Sequence, residues 1–197
     1  MKKAEILMDI YARLFTAFGP QHWWPGDTAF EVMIGAILTQ NTAWKNVEKA
    51  IINLKHEGLM DPERLAQVPQ GKIATLIRAS GYYNQKAKKV VHFMKFLEDE
   101  YGLDLKKMKK ESTDHLRDKL LGINGIGPET ADSILLYGLK KPIFVVDAYT
   151  YRLLTRHALV SEETTYEEMQ GLFMDNLPQD VRLFNEYHAL IVRLGKT

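Results

Sequence analysis

Apolar residues recur at intervals of three and four along almost the whole chain. Ile6, Ile10, Leu14 and Phe18 form one such series, and Trp44, Val47, Ile51 and Leu54 a second. Val90, Met94, Leu97 and Tyr101 form a third, and Phe184, Tyr187, Ile191 and Leu194 a fourth. That spacing puts each series on one face of an α-helix. Breakers separate the series at Gly19-Pro20, Pro25-Gly26-Asp27, Gly58, Asp61-Pro62, Pro69-Gln70-Gly71, Gly81, Gly102 and Pro178. Asp27, Asp61 and Ser161 are the expected helix N-caps. Only Ile143-Phe144-Val145-Val146 has strand chemistry, and so short a run is expected to be a buried extended link rather than part of a sheet. The pattern predicts an all-α protein of about ten short helices.

One break has a more specific form. A helix is expected to end at Leu121-Gly122, a turn to hold Gly125 and Gly127, and a new helix to start at Pro128, a favoured first-turn residue. The two glycines let the backbone come close to a phosphate, and the N–H groups of Gly127, Glu129 and Thr130 face outward from the helix start. Such a turn can hold a DNA backbone without reading its sequence. An ordinary corner in a helical core has the same Gly-x-Gly spacing.

Composition narrows the chemistry. Among 197 residues, 46 % hydrophobic, the formal net charge is only +1, so a DNA partner must be met by local basic patches and backbone donors. The richest basic runs are Lys86-Ala-Lys88-Lys89 and Lys106-Lys107-Met-Lys109-Lys110, and the first, after a Gly-Tyr-Tyr-Asn turn, is the better candidate for phosphate contact. With no cysteine there is no disulfide, thiol catalysis or thiolate metal site within these residues. The six histidines are scattered without ligand spacing, so no side-chain metal site is expected. Met1-Lys2-Lys3 leads into Glu5, Asp9 and Arg13 without an apolar core, and no run reaches the roughly 20 residues of a membrane span. A monomeric cytosolic protein without a membrane partner is the expectation.

The stretch Leu120-Leu-Gly-Ile-Asn-Gly-Ile-Gly-Pro-Glu-Thr-Ala-Asp132, followed by Val145-Val146-Asp147, resembles the helix–hairpin–helix motif and following aspartate of the endonuclease III-like superfamily of base-excision DNA glycosylases. Leu38-Thr-Gln40-Asn41-Thr42, Gly81-Tyr-Tyr83-Asn84-Gln-Lys86-Ala87 and Asn185-Glu-Tyr-His188-Ala-Leu-Ile fall in the same order as in that family, so the resemblance extends over residues 27–195. It implies two helical lobes. A six-helix barrel over 27–135 would carry the hairpin at about 111–138, and residues 1–26 with 136–197 would form the second lobe. Double-stranded DNA would lie at the cleft between them, with the damaged nucleotide flipped out of the duplex. Gln40 would fill the gap left by that base, Tyr83 and Asn84 would support the opposite strand, and Asn41, Thr42, Lys86, Gly125, Gly127 and Thr130 would complete the DNA contacts. Main-chain carbonyls of Leu121, Ile123 and Ile126 match positions that often hold a monovalent cation bridging to phosphate.

Asp147 precedes Ala-Tyr-Thr-Tyr-Arg and so lies at a helix N-terminus, where an aspartate is commonly a simple cap. The helix dipole would keep it ionised. The resemblance implies the catalytic role: a carboxylate beside C1′ that stabilises the developing sugar cation and orients water. At position 129, where strand-nicking members of the superfamily have a Schiff-base lysine, this chain has Glu129, and a carboxylate cannot form an imine. A monofunctional glycosylase is the expectation.

Trp23-Trp24-Pro25 and Gln40-Asn41-Thr42-Ala43-Trp44 are similar to the 3-methyladenine glycosylase branch. Tryptophans are mostly buried for packing, but indole faces also attract cations, and Trp23, Trp24, Pro25, Trp44 and Glu129 form the expected pocket for a positively charged alkylpurine such as 3-methyladenine or 7-methylguanine. Alternatives are a glycosylase for T or U opposite G or for oxidised pyrimidines, and a non-catalytic helix–hairpin–helix module that tethers a partner to DNA. Many relatives continue into a four-cysteine loop holding a [4Fe–4S] cluster, whose first cysteine is expected near Thr197. Either this branch has lost the cluster or the chain is shortened.

Overall fold

A computed structural model describes residues 2–197; Met1, where the leader reading begins, lies outside the described residues. Among these there are twelve α-helices and no strand. They are α1 Lys3–Phe18, α2 Ala29–Leu38, α3 Trp44–His56, α4 Pro62–Ala66, α5 Gln70–Leu76, α6 Tyr83–Tyr101, α7 Leu105–Lys110, α8 Thr113–Leu121, α9 Pro128–Ser133, α10 Ala148–Arg156, α11 Tyr166–Met174 and α12 Val181–Gly195. The all-α expectation holds, but the helices outnumber the ten anticipated, and α1, α6 and α12 run to 16, 19 and 15 residues. Among the described residues no helix is long and apolar enough to cross a membrane.

Of the expected caps, Asp61 holds, accepting the Arg64 N–H at 3.0 Å. Asp27 does not. Thr28 caps α2 through Glu31 N–H at 3.1 Å, while the Asp27 carboxylate takes the Lys55 ammonium at 2.7 Å. Ser161 does not either: its hydroxyl meets Thr164 Oγ1, and α11 starts later, behind Thr165 and a reciprocal capping box with Glu168. In both places a neighbouring threonine has the backbone register from which a β-hydroxyl reaches the third N–H.

The chain divides into two compact units, one spanning Gly26–Ile134 and the other combining the residues up to Pro25 with Leu135–Thr197. In the first, α2 is the central helix, buried from Phe30 to Leu38 because its sequence is apolar all round. It packs on α3, α6 and α9. In the second, α12 lies against α1 and α10. Its core is aromatic: Phe144 stacks on Phe173 with centroids 3.8 Å apart and meets Phe184 and Tyr187 edge-on. Each such buried ring contributes roughly 1.5–3 kcal/mol of transfer free energy.

Ile143–Val146 is the buried, non-helical link expected from its composition. Without a neighbouring strand, several of its backbone groups are met by side chains. The Phe144 carbonyl accepts from Gln170 Nε2 at 2.6 Å, and Val146 N–H donates to the Tyr166 hydroxyl at 3.3 Å. This anchored link delivers Asp147 to the start of α10.

Candidate active site and nucleic-acid interface

Asp147 is the N-cap of α10, and its two carboxylate oxygens face different partners. Oδ1 accepts the Thr150 N–H at 2.8 Å and the Thr150 hydroxyl at 3.0 Å. Oδ2 faces His188 Nε2 of α12 at 3.5 Å. The side chain is 12 % exposed, so the carboxylate is largely desolvated yet open on one side. Burial pushes its carboxyl up, but the imidazole of His188 beside it, together with the Thr150 bonds, outweighs burial and holds it below the ordinary aspartate value. The group is a carboxylate at neutral pH.

The imidazole connects this carboxylate to an aromatic cluster. His188 Nδ1 is hydrogen-bonded to the hydroxyl of Tyr137, which is buried in the π-helical turn Ile134–Gly138. The Tyr137 ring lies 5.2 Å from that of Trp24, which meets Trp23 edge-on at 5.3 Å. Both indoles are half-buried, and the Lys196 ammonium stands 5.8 Å over the Trp23 ring. Asp147, Trp23 and Trp24 therefore share one unit, and contacts through His188 and Tyr137 link Asp147 to Trp24. Pro25, exposed, ends the first segment of this unit. Trp44, half-buried at the start of α3, and Glu129, exposed in the first turn of α9, belong to the other unit.

In that other unit α8, a tight turn and α9 form the expected hairpin, with Pro128 at the first helical position and Gly125 at φ +94°. Arg117 of α8 donates to both oxygens of the fully buried Asp132 of α9, at 2.7 and 3.2 Å, which fixes the angle between the two helices. Gln40 docks onto the turn. Its Nε2 donates to Thr130 Oγ1 at 2.9 Å and to the Gly125 carbonyl at 3.3 Å, and its Oε1 accepts from Lys89. His92 donates through Nδ1 to the Asn124 carbonyl at 3.0 Å. Gln40, Gly125 and Thr130, named separately from sequence, thus meet at one place. Here the Gln40 amide is engaged by the hairpin rather than projecting freely, and the Thr130 side chain is buried beneath it. Gly127 is exposed, as are Asn41 (in left-handed conformation, φ +52°) and Asn84; Thr42 and Tyr83 are half-buried.

Lys86 is a correction. It is 2 % exposed, and its ammonium donates to the Leu38 carbonyl at 2.7 Å and the Ser80 carbonyl at 2.6 Å. It closes the C-terminal end of α2 and cannot meet a phosphate. Burial, with the charge of Lys89 nearby, lowers its pKa to about 8. On α6 it faces inward, and Lys89, three residues on, takes the place at the hairpin. The sequence reading also missed two residues. His188, one of six scattered histidines, entered only within the Asn185–Ile191 resemblance and without a role of its own. Tyr82, ahead of α6, is 68 % exposed and held at φ +45°. Its signal was the position itself, an aromatic in a Gly-Tyr-Tyr-Asn turn beside the cationic Arg78, whose guanidinium lies over the Tyr83 ring.

Among the described residues no group of three acidic, histidine or cysteine side chains could hold a metal ion. The sequence has no thiolate to bind an iron–sulfur cluster, so none of its own residues fits that group. The hairpin carbonyls are compatible with a monovalent cation: that of Ile123 accepts the Ile126 N–H at 3.0 Å and retains a second lone pair.

Residues 34–179, which take in Gln40, the whole hairpin and Asp147, match the family described as HhH-GPD superfamily base excision DNA repair protein. The chain belongs to this superfamily. Within it, the chain is 48 % identical over 192 residues to the Methanocaldococcus jannaschii protein named "Putative DNA repair glycosylase MJ1434", covering 96 % of this chain and 87 % of that one. It is 32 % identical to endonuclease III of Thermotoga maritima, over 85 % of this chain and 73 % of the relative. Among solved structures, the Helicobacter pylori 3-methyladenine DNA glycosylase bound to 1,N6-ethenoadenine superposes with a TM-score of 0.84 at 30 % identity, covering 100 % of this chain and 98 % of that one. An endonuclease III–DNA covalent intermediate superposes with a TM-score of 0.81 at 21 % identity, a likeness of fold.

Proposed function

We propose that this base-excision DNA glycosylase hydrolyses the N-glycosidic bond of alkylated purines in duplex DNA and leaves the abasic strand intact. The observation that carries the reading is Asp147, a desolvated carboxylate kept ionised by its cap bonds and His188, in one unit with the Trp23–Trp24 pair. As the bond between C1′ and the base breaks, its electron pair leaves with the base, and positive charge grows on the sugar. A fixed carboxylate lowers the free energy of that cation in a low-dielectric site far more than it would in water. Water then adds to C1′ and loses its proton to solvent or to the carboxylate. An alkylated purine starts cationic and departs neutral, so no strong general acid is required.

Three observations support the substrate class. Indole faces favour a cationic ring. The tryptophan pair is wired to the carboxylate through Tyr137 and His188. The Helicobacter pylori structure, a 3-methyladenine glycosylase holding 1,N6-ethenoadenine, covers this whole chain. The endonuclease III relatives favour a second reading, removal of another class of damaged base. Glu129 supports the absence of a Schiff-base step, since no amine stands there to form the imine. Contacts to DNA would come from the Gln40–hairpin surface with Lys89, Asn41, Thr42, Tyr83 and Asn84. The carbonyls of Leu121, Ile123 and Ile126 would hold a monovalent cation that adds positive charge toward a phosphate.

Duplexes containing 3-methyladenine, 7-methylguanine, thymine glycol, or T and U opposite G test this directly, with base release and strand nicking assayed separately. Release of methylated purines without nicks is expected. Release of thymine glycol alone would replace the substrate assignment, and nicking without heat or base would overturn the hydrolytic one.

A further inference from the structure

We propose that His188 is a positioning residue for Asp147, holding its Oδ2 through an Nε2–H that Tyr137 enforces from the far side of the ring. The inference rests on the reading of Asp147 as the catalytic carboxylate.

The contact pattern assigns different work to each oxygen of Asp147. Oδ1 is consumed by the cap, with two hydrogen bonds from Thr150. That leaves Oδ2 to set the rotation of the carboxylate and to face the chemistry. The polar atom set against Oδ2 is His188 Nε2, at 3.5 Å, a contact with room to tighten on binding. Among the described residues this buried nitrogen has no hydrogen-bond partner. The other ring nitrogen is committed to the Tyr137 hydroxyl, itself buried. A neutral imidazole accepting from Tyr137 at Nδ1 must carry its proton on Nε2, facing the carboxylate. A protonated imidazole, with Tyr137 accepting, also presents Nε2–H there. The remaining tautomer, with Nδ1–H donating to the Tyr137 oxygen, would set a lone pair of Nε2 against an ionised carboxylate, and that repulsion disfavours it, so the carboxylate meets a donor.

The surroundings hold the ring without competing for it. Phe144 lies edge-on to the imidazole at 6.5 Å, and the Tyr137 ring lies 5.9 Å away. Tyr137 and Asp147 are titratable groups set against the imidazole. On its own helix, Tyr187 turns its hydroxyl to the Leu7 carbonyl and Glu186 accepts the Gln21 N–H. A histidine kept only to fill space would need neither the tyrosine at one nitrogen nor the carboxylate at the other.

His188→Phe keeps a flat ring and removes both nitrogens. Base release, measured in single turnover on the lesion that the wild type removes, should slow on the order of ten- to a hundredfold, the range of a lost hydrogen bond to a charged group. The acid limb of its pH profile should move to higher pH, because the carboxylate loses a donor that favours ionisation. His188→Gln, with an amide N–H near the position of Nε2, should recover part of the rate and bring the limb back. A folded His188→Phe with the wild-type rate, or a slower one with an unmoved acid limb, would overturn the inference. If His188→Phe does not fold, Tyr137→Phe decides by the same two readouts, with a smaller loss expected. Full release by Asp147→Asn would instead sink the reading of Asp147 itself. An inactive Asp147→Asn beside an unaffected His188→Phe would sink only the role of His188.

Discussion

The side chain of Lys89 runs across Gly125 so closely that a Cβ built on the glycine would lie 2.6 Å from Lys89 Cγ. Gly125 also sits at φ +94°, where an L side chain is strained. Gly127, two residues on, has nothing within 4 Å of such an atom and an ordinary φ of −98°. Gly125→Ala should therefore destabilise the free protein by about 1–3 kcal/mol, read by denaturant unfolding. Gly127→Ala should cost under about 1 kcal/mol but weaken duplex binding roughly tenfold or more, if a phosphate approaches that backbone. Equal binding by wild type and Gly127→Ala would remove Gly127 from the interface.

Asp147 combines a structural and a proposed chemical duty, and two substitutions separate them. Asparagine caps a helix about as well as aspartate, so Asp147→Asn should leave stability nearly unchanged while abolishing base release. Asp147→Ala should lose both activity and about 1 kcal/mol of stability. Thermal unfolding and single-turnover release, measured together, check the pair.

Lys86→Met keeps most of the buried stem but leaves the Leu38 and Ser80 carbonyls without their donor. A loss of roughly 1–3 kcal/mol is expected, with duplex affinity at fixed salt unchanged once the variant is folded. The pH dependence has a definite sign. The folded-state pKa is depressed to about 8, below the ordinary lysine value of 10.5, so between these values the unfolded chain binds more protons at this site. Wild type should therefore gain stability relative to Lys86→Met as pH rises through that window. A difference that is flat or falls with pH would contradict the buried, desolvated ammonium. Lys89→Ala should behave in the opposite way, with little loss of stability and weaker, less salt-dependent binding.

The hairpin and Asp147 were legible because their signals are local. Glycine conformation, a first-turn proline and an N-cap depend on residues within a few positions of each other. Lys86 was misread because its run of three lysines straddles both faces of α6, and period alone does not say which lysine turns inward. Asp27 and Ser161 were displaced as caps by Thr28 and Thr165, one and four residues on, since capping depends on backbone register more than on residue type. His188 stands in the family-like Asn185–Ile191 segment, but its role was illegible for a different reason. Its significance comes from Tyr137 and Asp147, 51 and 41 residues away in sequence, and no spacing rule connects them.

Tyr82 offers a test of the interface that packing does not confound. At 68 % exposure its ring contributes little to the fold, so Tyr82→Ala should unfold at nearly the wild-type temperature. If the ring meets an unstacked base, binding to a lesion duplex should weaken by about 1–3 kcal/mol, the range for base–aromatic stacking. Unchanged affinity would make it an incidental surface residue.

The Tyr187 hydroxyl that donates to the Leu7 carbonyl at 2.7 Å, with Glu186 holding the Gln21 N–H at 2.6 Å, joins the two ends of the chain inside one unit. During synthesis α1 is made before the other unit, and α12, the helix that covers it, is made after. All of Gly26–Ile134 is translated in between. The unit bearing Asp147 therefore cannot close until α12 has been made, and pauses between α1 and α12 would prolong the exposure of the α1 face that carries Leu7 and Leu14.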